Sequence, residues 1–391
     1  MKILFVHDYG VLAGGAERVT VELRDGMRTR GHDARLFAST ARAFPLPNQA
    51  DYTCFGTNGW PRRLLQVANP SAVRNLRRVL TEFQPDVVHV RMFLTQLSPG
   101  ILPLLARIPT LLHVGNHQTI CPINTRILPD ESVCTFRAGV VCYQQRCVSA
   151  LGLARTVVQL RSWRRRRGVF RLIVANSQAL ARTLRENDVP VTTVIPNGTR
   201  VVPRRPPLED PPLVAYAGRL MPLKGVDVLL HAMAVVARRI PAARLLVVGE
   251  GSDRSRLESI IAALSLREHV IMCGHLAPPQ LGERLATAWV QAVPSRYLEP
   301  FANVIAEAMM RGTALVATAT GGSPELVREG RTGYLVTSGD AEQLADRLIG
   351  VLGDRALAER LGSAGRVAAL ADLTVDRMLD RFEEAYAQML G

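Results

Sequence analysis

Two carboxylates eight residues apart, Glu299 and Glu307, frame the stretch of this chain whose residue types could do the most chemistry. Pro300 and Asn303 suit the start of a helix and Gly312 its stop, so Glu299 falls just before the helix and Glu307 two turns inside it. The first N–H groups of such a helix lack partners and carry the positive end of its dipole. That makes the start through Pro300, Phe301, Ala302 and Asn303 an anion site. A strand over 314–318 and the turn Gly321-Gly322-Ser323-Pro324-Glu325 follow. A carboxylate, an amide-lined phosphate pocket and a second carboxylate suit the handling of a sugar nucleotide. A lone glutamate at either place is most often a solvated helix residue, but the spacing, the glycines and the helix start together reverse that reading.

Two cations five apart, Arg219 and Lys224, stand between a strand and a helical run beginning at Val226, in Ala217-Gly218-Arg219-Leu220-Met221-Pro222-Leu223-Lys224-Gly225. Packing explains such a pair poorly. After the first strand comes a glycine turn, Gly10 to Gly15, ending in the pair Gly14-Gly15 and followed by a helical run. Such a turn lets a ligand reach the backbone and offers amides to an anion, although by itself it reads as a plain tight turn. No Asp-x-Asp occurs anywhere in the chain. Fixed cations and a helix N-terminus can neutralise charge where a metal otherwise would.

In combination these motifs resemble the retaining glycosyltransferases of the GT-B fold, family four, and the resemblance covers nearly the whole chain. It implies a metal-independent enzyme that needs no cofactor and moves a sugar from a nucleoside diphosphate to an acceptor hydroxyl. Glu299 would then lie beside the transferred sugar and Glu307 would bond the ribose. Arg219 and Lys224 would hold the diphosphate, and Gly14 and Gly15 would border donor phosphate and acceptor. The loop Gly274-His275-Leu276 would hold the base through its backbone. In Leu111 to Pro122 the family places a histidine six residues before Cys121, but Gly115 stands there, flanked by His113 and His117. His117 is taken as the sugar-contacting residue, with an ordinary core or capping histidine the other reading. The donor is a UDP- or GDP-sugar and the acceptor a glycan or lipid-linked molecule. A nucleotide-sugar epimerase or sugar phosphorylase is the enzymatic alternative, and a basic nucleic-acid-binding protein the non-enzymatic one. The last leaves Arg219, Lys224, Glu299 and Glu307 without a task and has no aromatic stacking platform.

The elements that must position these residues alternate between strand and helix patterns, which predicts α/β architecture with parallel sheets. Strands are read at 2–6, 33–38, 86–90, 110–113, 172–175 and 191–195, then at 213–217, 244–248, 270–272, 290–293, 314–317 and 334–336. The proline-rich 196–212 reads as a linker. It separates an acceptor-side Rossmann-like domain, 1–195, from a nucleotide-sugar domain, 213–370, with 371–391 a helix expected to cross back to the first. Two doubly wound domains of this kind are expected to face a central cleft at their C-terminal strand ends.

At 391 residues and 48% hydrophobic content, the chain can fill two cores. Its start is too polar for a signal peptide and no run approaches transmembrane length, so a cytoplasmic protein is expected, with membrane contact peripheral at most. The net charge of +14 is uneven: no acid occurs between Asp51 and Glu82 or between Glu131 and Glu186. The second span holds Leu153, Val157, Leu160 and Trp163 at helical spacing beside Arg155, Arg161 and Arg164 to Arg167. A basic amphipathic helix of this kind suits either an anionic membrane or a sheet with arginines in water. Cys121, Cys134, Cys142 and Cys147 cluster without a C-x-x-C pair, which favours reduced thiols over zinc or disulfides.

Overall fold

Strand β1, Lys2–Tyr9, carries Ile3, Leu4, Phe5 and Val6 in an unbroken apolar run. All four are fully buried, as a strand covered on both faces requires. The computed structural model describes residues 1–12, 14–42, 46–60 and 62–391, with the backbone alone at Pro278 and Pro279. The chain divides into two compact units: Met1–Gly198 with Val375–Gly391, and Thr199–Thr374.

In the first unit β1 is joined by β2 (Asp33–Ser39), β3 (Tyr52–Cys54), β4 (Val87–Val90), β5 (Thr110–Val114), β6 (Leu172–Ala175) and β7 (Thr193–Val194). They form one parallel sheet in the order β3-β2-β1-β4-β5-β6-β7. Its helices include α1 (Gly15–Thr29), α2 (Arg62–Leu65), α3 (Pro70–Phe83), α4 (Val141–Gln144), α5 (Ala150–Arg166) and α6 (Gln178–Glu186). Because side chains alternate across a strand, Ile3 and Phe5 enter a core with Leu23 and Met27 of α1. Leu4 and Val6 enter another, with Leu76 of α3 and Trp163 of α5.

The second unit has a parallel sheet of β8 (Leu213–Ala217), β9 (Arg244–Val248), β10 (Val270–Gly274), β11 (Val290–Val293), β12 (Ala314–Thr318) and β13 (Tyr334–Val336). Their order is β10-β9-β8-β11-β12-β13. Its helices are α7 (Val226–Arg239), α8 (Arg254–Ala263), α9 (Pro278–Ala286), α10 (Asn303–Arg311), α11 (Ser323–Leu326), α12 (Ala341–Leu352) and α13 (Arg355–Asp372). Leu229 and Met233 of α7 pack with Leu344 and Leu348 of α12 on one face, and Ile305 and Met309 of α10 lie in a separate cluster with Leu315 and Ala317. In each sheet the strand order reverses at one point, between β1 and β4 and between β8 and β11. Ligands of such sheets bind outside the C-terminal strand ends at that point.

The last helix, α14 (Val375–Leu390), belongs to the first unit. Phe382 and Tyr386 are fully buried in the core that holds Ile3 and Phe5. Arg30 pairs with Asp380 at 2.8 Å and Glu383 at 2.5 Å, and His32 meets Glu383 at 2.8 Å. A Cβ on Gly26 of α1 would stand 2.5 Å from Leu379, so the two helices approach closely there.

The strands read from the pattern are present, β6, β8, β9, β11 and β13 with the same bounds, while β7 shortens to two residues. β3 is not announced by the pattern; it is a three-residue edge strand with too few positions to show a period. Most of the proline-rich 196–212 packs on the second unit instead of hanging free. The reason is Arg205, whose buried guanidinium bonds Glu359 at 3.0 Å and the Gly312 carbonyl at 2.9 Å.

Candidate active site

The second sheet's reversal point is built by backbone packed on backbone. Gly249, at φ +138°, and Gly251 follow β9, and added Cβ atoms there would stand 1.9 Å from the Gly218 carbonyl and 2.1 Å from that of Leu220. The Gly-x-Gly turn is therefore explained by close approach to the loop after β8, which it meets through the bond from Leu220 N–H to the Glu250 carbonyl, 3.0 Å. Gly225, at φ +65°, brings the loop before α7 onto the end of β11, where a Cβ would stand 2.0 Å from the Pro294 carbonyl. The N–H groups of Arg296 and Tyr297 bond the Leu223 carbonyl at 2.9 and 3.1 Å.

This stitching puts Lys224 against Glu299, and the two form an ion pair. The Ser295 hydroxyl donates to the same Glu299 Oε1 at 2.9 Å, and Lys224 Nζ lies 5.7 Å from the Tyr297 ring centroid. Glu299 is 7% exposed. Its carbonyl accepts from Gly322 N–H at 2.7 Å, beneath Gly321 at φ +54°, where a Cβ would stand 2.2 Å away. The Gly-Gly turn after β12 thus fixes the carboxylate in place. Arg219 is exposed and has no ion pair among the described residues. Burial, and then the charge of Glu299, hold the Tyr216 hydroxyl well above the ordinary tyrosine value while Arg219 acts against them, so both charges lie near that hydroxyl. Tyr216 donates to the Arg219 carbonyl at 3.0 Å and orders this loop from below.

Helix α10 begins at Asn303 behind Ala302, which takes a left-handed φ of +48°. Phe301 and Ala302 are buried with Ile305 and Met309, so their side chains serve the core. No side chain caps this N-terminus. Glu307, half-buried, lies one turn before Arg311. Burial pulls the Arg311 guanidinium down and the charge of Glu307 opposes that, while Arg311 bonds Gln291 at 2.6 Å. Gly274, at φ +69°, receives the Gly249 N–H on its carbonyl at 2.8 Å. This sets the loop with exposed His275 and half-buried Leu276 beside the Gly249 turn. The second unit therefore gathers Arg219, Lys224, Gly274, Glu299 and Asn303 at the C-terminal ends of its strands.

In the first unit Gly14 caps α1 in an extended conformation, and Gly14 and Gly15 are exposed. His113 is fully buried at the end of β5, against His89 at 3.3 Å, Arg91 at 3.2 Å and the Phe382 ring. Burial, aided by the Arg91 charge, holds it neutral. His117 is 2% exposed, and its carbonyl closes the turn to Ile120 and Cys121. All six cysteines are free, with Cys121 and Cys142 buried. No three of His, Cys, Asp and Glu stand together as a metal-ligand set among the described residues.

Three side chains were not singled out by sequence. Ser295 and Tyr297 flank Glu299, and nothing in their types separates them from ordinary loop residues. Asp8 is fully buried and accepts N–H bonds from Thr95 at 2.8 Å, Gln96 at 2.7 Å and Leu97 at 3.0 Å, fixing the loop after β4. An acid closing a buried strand was the available signal.

The family described as "Glycosyl transferases group 1" matches residues 201–368, and "Glycosyltransferase Family 4" matches residues 13–202. A D-inositol 3-phosphate glycosyltransferase of Nocardia farcinica is 41% identical over 39% of this chain and 35% of its own length. A GDP-mannose-dependent alpha-(1-6)-phosphatidylinositol monomannoside mannosyltransferase of Mycolicibacterium smegmatis is 34% identical over 42% and 44%. The chain thus matches less than half the length of these two. A phosphatidyl-myo-inositol mannosyltransferase of Mycobacterium leprae is 28% identical over 94% of this chain and 92% of its own. Among solved structures, sucrose-phosphate synthase from Thermosynechococcus elongatus superposes with a TM-score of 0.77 at 24% identity, over 100% of this chain and 99% of that one. Anabaena HepE in complex with UDP gives 0.70 at 23%, over 99% and 100%. Both likenesses concern the fold.

Proposed function

Because the chain belongs to the family-four glycosyltransferases of the GT-B fold, we propose that it transfers mannose from GDP-mannose to a hydroxyl of a lipid-linked polyol, with retention and without a metal. The observation that carries this reading is the Lys224–Glu299 pair beside open Arg219, at the reversal point of the second sheet. The names of the mannosyltransferase relatives support the donor and the acceptor class.

In this proposal Arg219 and Lys224 bind the donor diphosphate and stabilise the charge that develops as it leaves. Cations aimed at a developing anion in a water-poor site lower the barrier without reorganising. The N-terminal end of α10, the positive end of its dipole, adds to the same field. Glu299, steadied by Ser295 and by the Gly321-Gly322 turn, orients the sugar. Glu307 takes the ribose and Gly274 to Leu276 the base. Gly14, Gly15 and His117 are assigned to the acceptor side in the first unit.

The test has two arms. Thermal shift against GDP-, UDP- and ADP-sugars should show the largest gain with GDP-mannose, since ligand at a hundred times its dissociation constant adds roughly 2.7 kcal/mol. NMR of the product should show the donor's anomeric configuration kept, with turnover unchanged by EDTA. A larger shift with a UDP-sugar refutes the donor, an inverted product the stereochemistry, and loss of turnover in EDTA the metal independence.

A further inference from the structure

Helix α5 turns Thr156, Leu160 and Trp163 into the core, where Trp163 is 1% exposed. The sequence pattern left Leu153 to Trp163 and Arg164 to Arg167 open to two readings, a docking face or a face packed on the sheet, and the structure divides them. Leu160 and Trp163 are core, Arg166 hydrogen-bonds Ser162, and Arg167 bonds the Asp188 carbonyl. On a helix of 3.6 residues per turn, the side opposite the core carries Leu151, Arg155, Val158, Arg161 and Arg165. Leu151 is 70% exposed and Val158 50%. None of these three arginines has an ion pair among the described residues.

A second surface adjoins this one. Gln159, on the flank of α5, donates to the Gln66 carbonyl at 2.9 Å and the Leu94 carbonyl at 2.6 Å, which ties α5 to the turn after α2. Arg62 and Arg63 of α2 come near enough for their charges to act on Arg155. Trp60 and Leu64 beside them are 74% and 60% exposed. The two acid-free stretches of sequence therefore meet in space. Their shared surface projects large apolar groups from a field of arginines.

We propose that this face, with Trp60, Leu64, Leu151 and Val158 projecting among Arg63, Arg155, Arg161 and Arg165, docks on an anionic lipid bilayer. Arginines draw the face to anionic headgroups, and the apolar groups enter the headgroup–acyl boundary, where tryptophan is favoured. Of the four apolar groups on this face only Trp60 is aromatic, whereas a single-strand nucleic-acid platform stacks successive bases on a series of rings. The inference stands on the surface and holds whichever sugar the enzyme transfers.

Flotation of the full chain with vesicles containing phosphatidylglycerol, and with phosphatidylcholine alone, tests it at low and high salt. Three variants are compared: R155Q/R161Q/R165Q, L151S/V158S, and R74Q/R77Q/R78Q, which strips three exposed arginines from α3. Wild type should float with anionic vesicles at low salt only. The α5 arginine variant should bind roughly a hundredfold more weakly, about fivefold per charge, and the apolar variant should also bind more weakly. The α3 variant should stay close to wild type. GDP-induced thermal shifts, unchanged in all, separate a docking defect from failure of the proposed chemistry. No flotation of wild type, equal loss in the α3 variant, or tighter binding to random RNA than to anionic vesicles would each overturn the proposal.

Discussion

Lys224 spends part of its charge on Glu299, and that division makes an opposed prediction for the two partners. Glu299→Gln keeps the shape of the side chain and an acceptor for Ser295 while removing the charge. Lys224, 23% exposed at its side chain, is then released toward a bound diphosphate. A charge-assisted hydrogen bond contributes about 1.5–3 kcal/mol. Recovering the lower end of that range tightens GDP about tenfold. Transfer should collapse in the same variant, because the group beside the sugar is gone. Lys224→Met does the reverse: GDP binding weakens about tenfold or more. Glu299, with its side chain 10% exposed, then keeps only Ser295 among the described residues, and stranding a buried charge costs about 3 kcal/mol of folding stability. Isothermal titration with GDP and urea unfolding of both variants read these effects directly. If Glu299→Gln weakens GDP as much as Lys224→Met does, the two residues do not compete for charge and the assignment fails.

Two further outcomes follow from the same geometry. Gly225→Ala and Gly321→Ala each force a left-handed residue and a Cβ within 2.0 or 2.2 Å of a carbonyl, so each should lose about 3 kcal/mol and most nucleotide affinity. Gly31→Ala, at φ +85° with nothing within 4 Å, should lose only about 1 kcal/mol, and equal losses in urea unfolding would refute the close-approach argument. Burial, with the Arg91 charge behind it, pushes His7 down to about 3. His7 is thus neutral in the fold and takes up a proton on unfolding once pH is below its ordinary value of 6.5. Its share of stability is complete above pH 6.5 and is lost as pH falls toward 3. His7→Asn should flatten the fall of the urea midpoint over this range, and an unaltered slope would remove His7 as its source.

The parallel sheets were legible because buried strands such as 213–217 and 290–293 read as apolar runs, and the glycines after them as turns. What those glycines do was not legible. Gly249 and Gly251 read only as a strand-end glycine turn, whereas their lack of a side chain serves the approach of the loop after β8. Side-chain partners across the fold were hidden for a similar reason. That Ser295 steadies Glu299, or that Arg205 reaches Glu359, depends on loop paths that no periodicity encodes. Amphipathic spacing found α5, but of Leu153 to Trp163 only Leu160 and Trp163 enter the core, and Val157 is exposed. The exposed side could be seen only by subtraction.

Because α14 belongs to the first unit, that unit is discontinuous along the chain, whereas Thr199–Thr374 is one unbroken segment. During synthesis the ribosome must add the whole second unit before the residues that cover Ile3 and Phe5 emerge. At about 5–20 residues per second the nascent first sheet waits roughly 10–35 seconds with one face short of Phe382 and Tyr386. The second unit can finish folding first, against the usual N-terminal precedence. A stop codon near the 3′ end of the reading frame would therefore injure the beginning of the protein, and chaperone demand should centre on the half made earliest.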